Sequence, residues 1–221
     1  TRGLPVLRRG PSDNRLYRAV WLAIYAPVRL LFRMRISGLE HIPAHGKVVL
    51  ACNHISNLDP IYLGAAADRQ AHFMAKSSLW AFGPLGRLVA ALGAFPVRRG
   101  EADREAIRAA ISYLDVGAVV GIFPEGHRQL EGRLGDPQPG FALLALRKDV
   151  VTIPAVLTGT DRIGRSGLPR LSKVTVTFGP PLDTEIGGTA KGERHDEMGR
   201  RLKDAWSVLL GRASGGEIGE A

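Results

Sequence analysis

Three largely apolar runs stand out along the chain: Lys47–Cys52, Ala118–Phe123 and Val150–Leu157. Each has the length and the content of Val, Ile and Leu expected of a strand buried on both faces. Shorter strands are predicted at His72–Lys76, Ala94–Val97 and Val174–Phe178. Helical periodicity fills the gaps between them. Asp59-Pro60 reads as an N-cap followed by proline at the first helical position, opening a helix to about Ala67. Ser77–Leu92 reads as helix interrupted at Gly83-Pro84, and Glu101–Leu114 as a helix with its apolar face at Ala102, Ala106, Ala109 and Tyr113. Gly140–Arg147 is helical by the same criterion, and Met198, Leu202, Ala205 and Leu209 mark a terminal amphipathic helix. Apolar strands alternating with helices predict an α/β fold: a mixed, largely parallel sheet flanked by helices.

The N-terminal segment follows a different pattern. Tyr17, Trp21 and Tyr25 recur every four residues, on one face of a helix. Arg15, Arg18, Arg29, Arg33 and Arg35 rim an uncharged run of ten residues, Ala19–Val28. That run is too short to span a bilayer, which needs about 20 residues. No small-residue cleavage site follows it, which argues against a signal peptide. Two readings stand: a helix or helix pair lying in the membrane interface, or an amphipathic helix docked on the core. Pro27 is expected to kink or split it. The organisation expected is a membrane-associating segment over residues 1–36, one α/β domain over 37–212 and a disordered tail over 213–221.

Composition narrows the class. A chain of 221 residues with 45% hydrophobic content carries one sizeable core. The net charge of +9, from 30 Lys+Arg against 21 Asp+Glu, favours polyanionic partners: nucleic acid, an anionic membrane face or phosphorylated ligands. A single cysteine, Cys52, excludes an internal disulfide framework. The sequence has no C-x-x-C or H-E-x-x-H, which argues against a zinc site, and no G-x-S-x-G or G-x-x-x-x-G-K-[ST], which argues against serine-hydrolase and P-loop chemistry.

The chemistry-bearing residues lie where the predicted strands end, which is where sites form in such sheets. Asn53-His54-Ile55-Ser56-Asn57-Leu58-Asp59-Pro60 follows the first apolar strand. Its H-x-x-x-x-D spacing lets a loop bring a carboxylate onto one imidazole nitrogen, fixing the tautomer and leaving the other nitrogen as a base. Taken alone, His54 also reads as a structural loop histidine and Asp59 as a helix cap. Phe123-Pro124-Glu125-Gly126-His127-Arg128 follows the second apolar strand and offers a polar, cationic loop suited to a phosphate. Lys76 ends a strand, and Gly126 frees the backbone so that its N–H can donate to a developing oxyanion.

Four blocks in order, Asn-His-x-x-x-x-Asp, Gly93–Gly100 (Gly-Ala-Phe-Pro-Val-Arg-Arg-Gly), Phe-Pro-Glu-Gly-x-Arg and Ile153-Pro154-Ala155, resemble the glycerolipid acyltransferase superfamily, and within it the bacterial 1-acyl-sn-glycerol-3-phosphate acyltransferases. The resemblance implies that His54 is the general base, oriented by Asp59, for transfer of an acyl group from acyl-CoA or acyl carrier protein to a lysophosphatidic acid hydroxyl. It implies further that Lys76, Arg99, Glu125, Gly126 and Arg128 surround the glycerol phosphate. No metal or organic cofactor is expected, and no covalent acyl-enzyme. The expected partners are anionic membrane lipids, lysophosphatidic acid and the acyl donor, without nucleic acid, at the cytoplasmic face of the membrane.

The sequence departs from the family pattern at three places: His127 stands where relatives often have Thr, Arg98 where an acidic residue is usual, and Ser78 where a glutamate is common. All three line the presumed headgroup side, so another lyso-lipid or a glycolipid remains an alternative acceptor. A non-catalytic basic membrane or nucleic-acid binding protein is the alternative from another class.

Overall fold

The computed structural model describes residues 15–31, 34–97, 104–129, 133–163, 173–187 and 190–214. Among these residues the sheet has seven strands: β1 (Arg35–Ser37), β2 (Lys47–Cys52), β3 (Ala71–Lys76), β4 (Phe95–Val97), β5 (Val119–Ile122), β6 (Val150–Thr158) and β7 (Thr175–Phe178). They lie in the order β1-β7-β6-β2-β5-β3-β4. The run from β6 to β4 is parallel throughout. β7 pairs antiparallel with β6, and β1 pairs parallel with β7, so the β1 edge runs against the rest. The expected α/β fold with a mixed, largely parallel sheet is the fold observed.

The helices are α1 (Arg15–Leu31), α2 (Asp59–Ala66), α3 (Gly83–Ala91), α4 (Arg104–Asp115), α5 (Pro139–Ala145) and α6 (Lys191–Ser214). Successive strand residues face opposite sides of a sheet, and β2 uses both. Val49 and Ala51 join a core with Ala106, Ala110 and Leu114 of α4, Leu144 of α5, and Leu202 and Trp206 of α6. Val48, Leu50 and Cys52 join the opposite core with Tyr62, Leu63 and Ala66 of α2. An apolar run from Val48 to Cys52 is therefore what the central position of β2 demands.

Several expectations are corrected in detail. The buried face of α4 is Ala106, Ala110 and Leu114, with Ala109 and Tyr113 at its margin; Ala102 lies outside the described residues. In α6 the buried residue is Trp206 rather than Ala205, and its indole N–H donates to the Ala51 carbonyl at 3.0 Å. The helix continues to Ser214, past the expected start of the tail at 213, and residues 215–221 lie outside the description. The boundary expected at residue 36/37 falls inside β1, which belongs to the sheet.

α1 settles its own orientation by burial. Tyr17, Trp21 and Tyr25 are buried in one cluster with Ala65 of α2, and Trp21 meets Tyr25 edge-on at 5.8 Å. The aromatic face therefore docks on the core and does not face lipid. The helix runs through Pro27 without being split. Residues 15–31 therefore form one helix, not a pair, and residues 1–14 lie outside the description. No described helix is long and apolar enough to cross a membrane.

Candidate active site

Strand register assembles the site. Ala51 of β2 lies opposite Ile122 of β5, so the loop after β2 emerges beside the loop after β5. On the other flank Cys52 lies opposite Ala155 of β6. Asn53 uses this proximity at once: its Oδ1 accepts the Leu157 N–H at 2.7 Å and its Nδ2 donates to the Leu157 carbonyl at 3.2 Å. A side-chain amide thus completes the ladder where β2 has ended.

His54 follows, and its Nδ1 lies 2.8 Å from Asp59 Oδ2. The same oxygen accepts the main-chain N–H groups of Ile55 and Ser56, both at 2.7 Å. An oxygen receiving these two donors acts as an acceptor, so the hydrogen of the third contact sits on Nδ1 and the lone pair on Nε2. Asp59 is 0% exposed and His54 is buried. Asp59 is not the N-cap expected from the sequence. Leu58 holds that position, and the aspartate, as the first helical residue, turns its side chain back onto the loop that precedes it. That reversal is what delivers the carboxylate to the histidine.

The imidazole is held from the side by stacked rings. His54 stacks on Phe123 with centroids 4.4 Å apart, and Phe123 stacks on Phe73 at 6.3 Å. Phe73 needs the glycine at position 121, since a Cβ there would stand 2.1 Å from its ring.

The loop after β5 grips the main chain of His54 at both ends. Glu125 Oε2 accepts the His54 N–H at 2.8 Å, and the Gln129 N–H donates to the His54 carbonyl at 2.7 Å. Glu125 Oε1 accepts the Gly135 N–H at 2.9 Å. Both carboxylate oxygens of this buried residue are therefore engaged by backbone, so Glu125 braces the loop, one of the two places the resemblance allows it, the other being a substrate hydroxyl. Burial pushes its carboxyl above the ordinary glutamate range, opposed by the N–H groups of Gly135 and His54 and by the nearby imidazoles.

For Gly126 the expected oxyanion donor is otherwise engaged. The residue has φ +72°, which glycine adopts without strain, but its N–H donates to the Phe123 carbonyl at 3.0 Å and is not free for an oxyanion. His127 and Arg128 are exposed beside it, and Lys76 is exposed at the end of β3, two strands along from β2. Arg99 and Arg98 lie outside the described residues. Cys52 is wholly buried, and burial, reinforced by the charges of Asp59 and Glu125, pushes its thiol far up, so it stays protonated and inert.

The arrangement is a buried imidazole with a fixed tautomer, a braced backbone and cations on the surrounding loops. The family described as Acyltransferase matches residues 33–158, a span that contains His54, Asp59 and the Glu125 loop, and the chain belongs to that family. The 1-acyl-sn-glycerol-3-phosphate acyltransferase of Bacillus subtilis is 35% identical over 150 residues, covering 67% of this chain and 73% of that one. The chloroplastic 1-acyl-sn-glycerol-3-phosphate acyltransferase of Arabidopsis thaliana is 29% identical over 157 residues, covering 68% of this chain and 44% of its own length. The chain thus spans about half the length of the plant relatives it matches. The crystal structure of the 1-acyl-sn-glycerophosphate acyltransferase of Thermotoga maritima superposes with a TM-score of 0.69 at 24% identity, covering 89% of this chain and 82% of that one, a likeness of fold.

One residue of the site escaped the sequence reading. Thr160, in the 3₁₀ turn after β6, donates its hydroxyl to Asp59 Oδ1 at 2.6 Å. A glycine immediately after a β-rich run, followed by a hydroxyl residue, was the signal available.

Proposed function

We propose that this protein transfers a fatty acyl group from a thioester, acyl-CoA or acyl carrier protein, to the sn-2 hydroxyl of 1-acyl-sn-glycerol-3-phosphate, giving phosphatidic acid. The observation that carries the reading is the His54 Nδ1–Asp59 Oδ2 bond at 2.8 Å in a buried setting. The names of the relatives supply the acceptor.

In this reaction His54 Nε2 removes the proton of the acceptor hydroxyl as its oxygen attacks the thioester carbonyl. The tetrahedral intermediate collapses with loss of the thiolate, which takes the proton back from the imidazolium. Asp59 stabilises the charged ring in between. No metal or organic cofactor takes part in this scheme. Arg99, Lys76 and Arg128 are assigned to the glycerol phosphate, where a guanidinium fork fits phosphate oxygens.

We place the reaction at an anionic membrane surface, which fits the net charge of +9. The outward side of α1 exposes Leu22, and α3, which touches α1, exposes Leu85 and Leu88, with Phe82 just before it. Such an apolar patch suits the headgroup boundary, where both lipid substrates are found.

The test is acyl transfer from palmitoyl-CoA, oleoyl-CoA and acyl carrier protein thioesters to lysophosphatidic acid in vesicles. Wild-type protein is expected to form phosphatidic acid and the His54→Ala protein none above background. Product formed only from another lyso-lipid would replace the acceptor. Equal turnover by the two proteins would sink the assignment of the base.

A further inference from the structure

Asp59 holds its two oxygens in unequal surroundings. Oδ2 takes three N–H donors, from His54, Ile55 and Ser56. Oδ1 takes one among the described residues, the hydroxyl of Thr160, 101 positions further along the chain. Both residues are 0% exposed, so water does not substitute for that hydroxyl.

The approach of Thr160 is built by the chain before it. β6 ends at Thr158, and Gly159 turns the backbone with φ +89°. A Cβ at Gly159 would stand 2.3 Å from the Lys173 carbonyl oxygen, so glycine is required for conformation and for space. The turn opens the 3₁₀ segment Thr160–Arg162 with Thr160 against Asp59. Three residues upstream, Leu157 is fixed to Asn53 by two hydrogen bonds. The end of β6 is thus fastened twice to the loop that carries His54, once through Asn53 and once through Asp59.

We infer that Thr160 is a positioning residue for the catalytic base: its hydroxyl fixes the plane of the Asp59 carboxylate so that Oδ2 stays aligned with Nδ1 of His54. Oδ2 lies off the Cβ–Cγ axis, so its three donors hold the carboxylate plane from one side, and the Thr160 hydroxyl on Oδ1 holds it from the other. Its hydroxyl hydrogen points to the carboxylate because the carboxylate only accepts. The inference rests on the acyl-transfer reading for its kinetic consequences, but the alignment is a property of the folded protein with or without turnover.

The experiment compares wild type, Thr160→Val, Thr160→Ser and Asp59→Asn, alone and combined, in the vesicle assay. Thr160→Val keeps the side-chain shape and removes the donor. Its kcat is expected to fall by about 10- to 100-fold, the usual scale for misplacing a catalytic group by a fraction of an ångström to an ångström. KM for acceptor and donor should stay within about twofold, because Thr160 is buried away from both. Thr160→Ser should restore most of the rate. In the Asp59→Asn background Thr160→Val should cost less than about threefold more, since groups acting through one another are not additive.

A Thr160→Val protein with wild-type kcat, a serine variant as slow as the valine one, or fully multiplicative losses with Asp59→Asn would each overturn the inference. A parallel readout is the Nδ1–H proton resonance of His54 in nitrogen-15-labelled protein, assigned by its absence in His54→Gln. It should shift or broaden in Thr160→Val and keep its position in Thr160→Ser; an unchanged resonance in both overturns the inference. If wild type transfers no acyl group to any acceptor, the functional reading fails, and the resonance alone decides the role of Thr160.

Discussion

Glu125 holds the main chain of His54, its Oε2 accepting the His54 N–H at 2.8 Å, while Oε1 takes the N–H of Gly135. A side chain that holds the His54 backbone and one that contacts substrate make different kinetic predictions. Glu125→Gln tests the difference. A glutamine has one acceptor oxygen, so its NH₂ group must face either the His54 or the Gly135 N–H, donor against donor. The expected result is a fall in kcat of about 10- to 100-fold with KM for lysophosphatidic acid nearly unchanged. A headgroup contact would instead raise KM. Steady-state kinetics on vesicles at several acceptor mole fractions separates the two.

His72 gives the protein a pH-sensitive element away from the site. Its ring stacks on Tyr113 at 4.0 Å and its Nδ1 lies 3.0 Å from the Gly93 carbonyl. Burial lowers its pKa below the usual 6.5, more than the bond to Gly93 raises it. The folded chain therefore releases this proton at pH values where the unfolded chain still holds it. Stability contributed by the neutral ring is present above 6.5 and is lost as pH falls through the lowered folded value. His72→Phe keeps an aromatic ring against Tyr113 and should flatten the slope of melting temperature against pH below about 6.5, at a fixed cost of about 1 kcal/mol for the lost hydrogen bond. Thermal melts from pH 5 to 7.5 measure both.

α1 has two faces with separable jobs. Trp21 is buried against α2, and Trp21→Ala should cost about 3–5 kcal/mol, as large-to-small changes in a core do. Leu22, next to it, is 60% exposed, and Phe82 is 67% exposed. A Leu22→Ser, Phe82→Ser, Leu85→Ser protein should melt within about 1 kcal/mol of wild type. Its binding to vesicles containing anionic lipid should fall by at least about tenfold, because three apolar side chains no longer leave water. Cosedimentation at fixed salt reads the binding. Unchanged binding would move the membrane-contacting surface elsewhere.

These results show which links were legible in the sequence. The strands β2, β5 and β6 were readable because a strand buried on both faces has no polar alternation to confuse it, and the His54 and Glu125 loops followed as strand C-termini. The docking of Tyr17, Trp21 and Tyr25 was not decidable, since an aromatic stripe at helical spacing meets a protein core and a lipid interface equally well. β1 escaped because three residues bearing an arginine and a serine carry no periodic signal. Trp206 escaped because Ala205 beside it also fits the helical spacing. Gly159-Thr160 marks a turn after β6, but nothing local names Asp59 as its partner: the two meet because β6 lies next to β2 in the sheet, a fact of register and not of motif.

Asp59 offers the sharpest test of how His54 is held and of the base role proposed for it. Asp59→Ala removes the acceptor for the N–H groups of Ile55 and Ser56 and for Nδ1 of His54, and leaves the Thr160 hydroxyl without its partner. Buried donors left without acceptors cost about 1–3 kcal/mol each, so this variant should be both inactive and less stable. Asp59→Asn behaves differently. The two main-chain N–H groups require the amide oxygen at the Oδ2 position, which sends the NH₂ group toward Thr160. The Thr160 hydroxyl can turn to accept from it. The fold and the His54 tautomer are then retained, while the negative charge that offsets the imidazolium is gone. Asp59→Asn should melt within about 1 kcal/mol of wild type and lose about 10²- to 10⁴-fold in kcat, within the range that general base catalysis supplies. Melting curves and initial rates on the two variants check this. A stable Asp59→Asn protein with near wild-type turnover would mean that the carboxylate serves only to shape the loop.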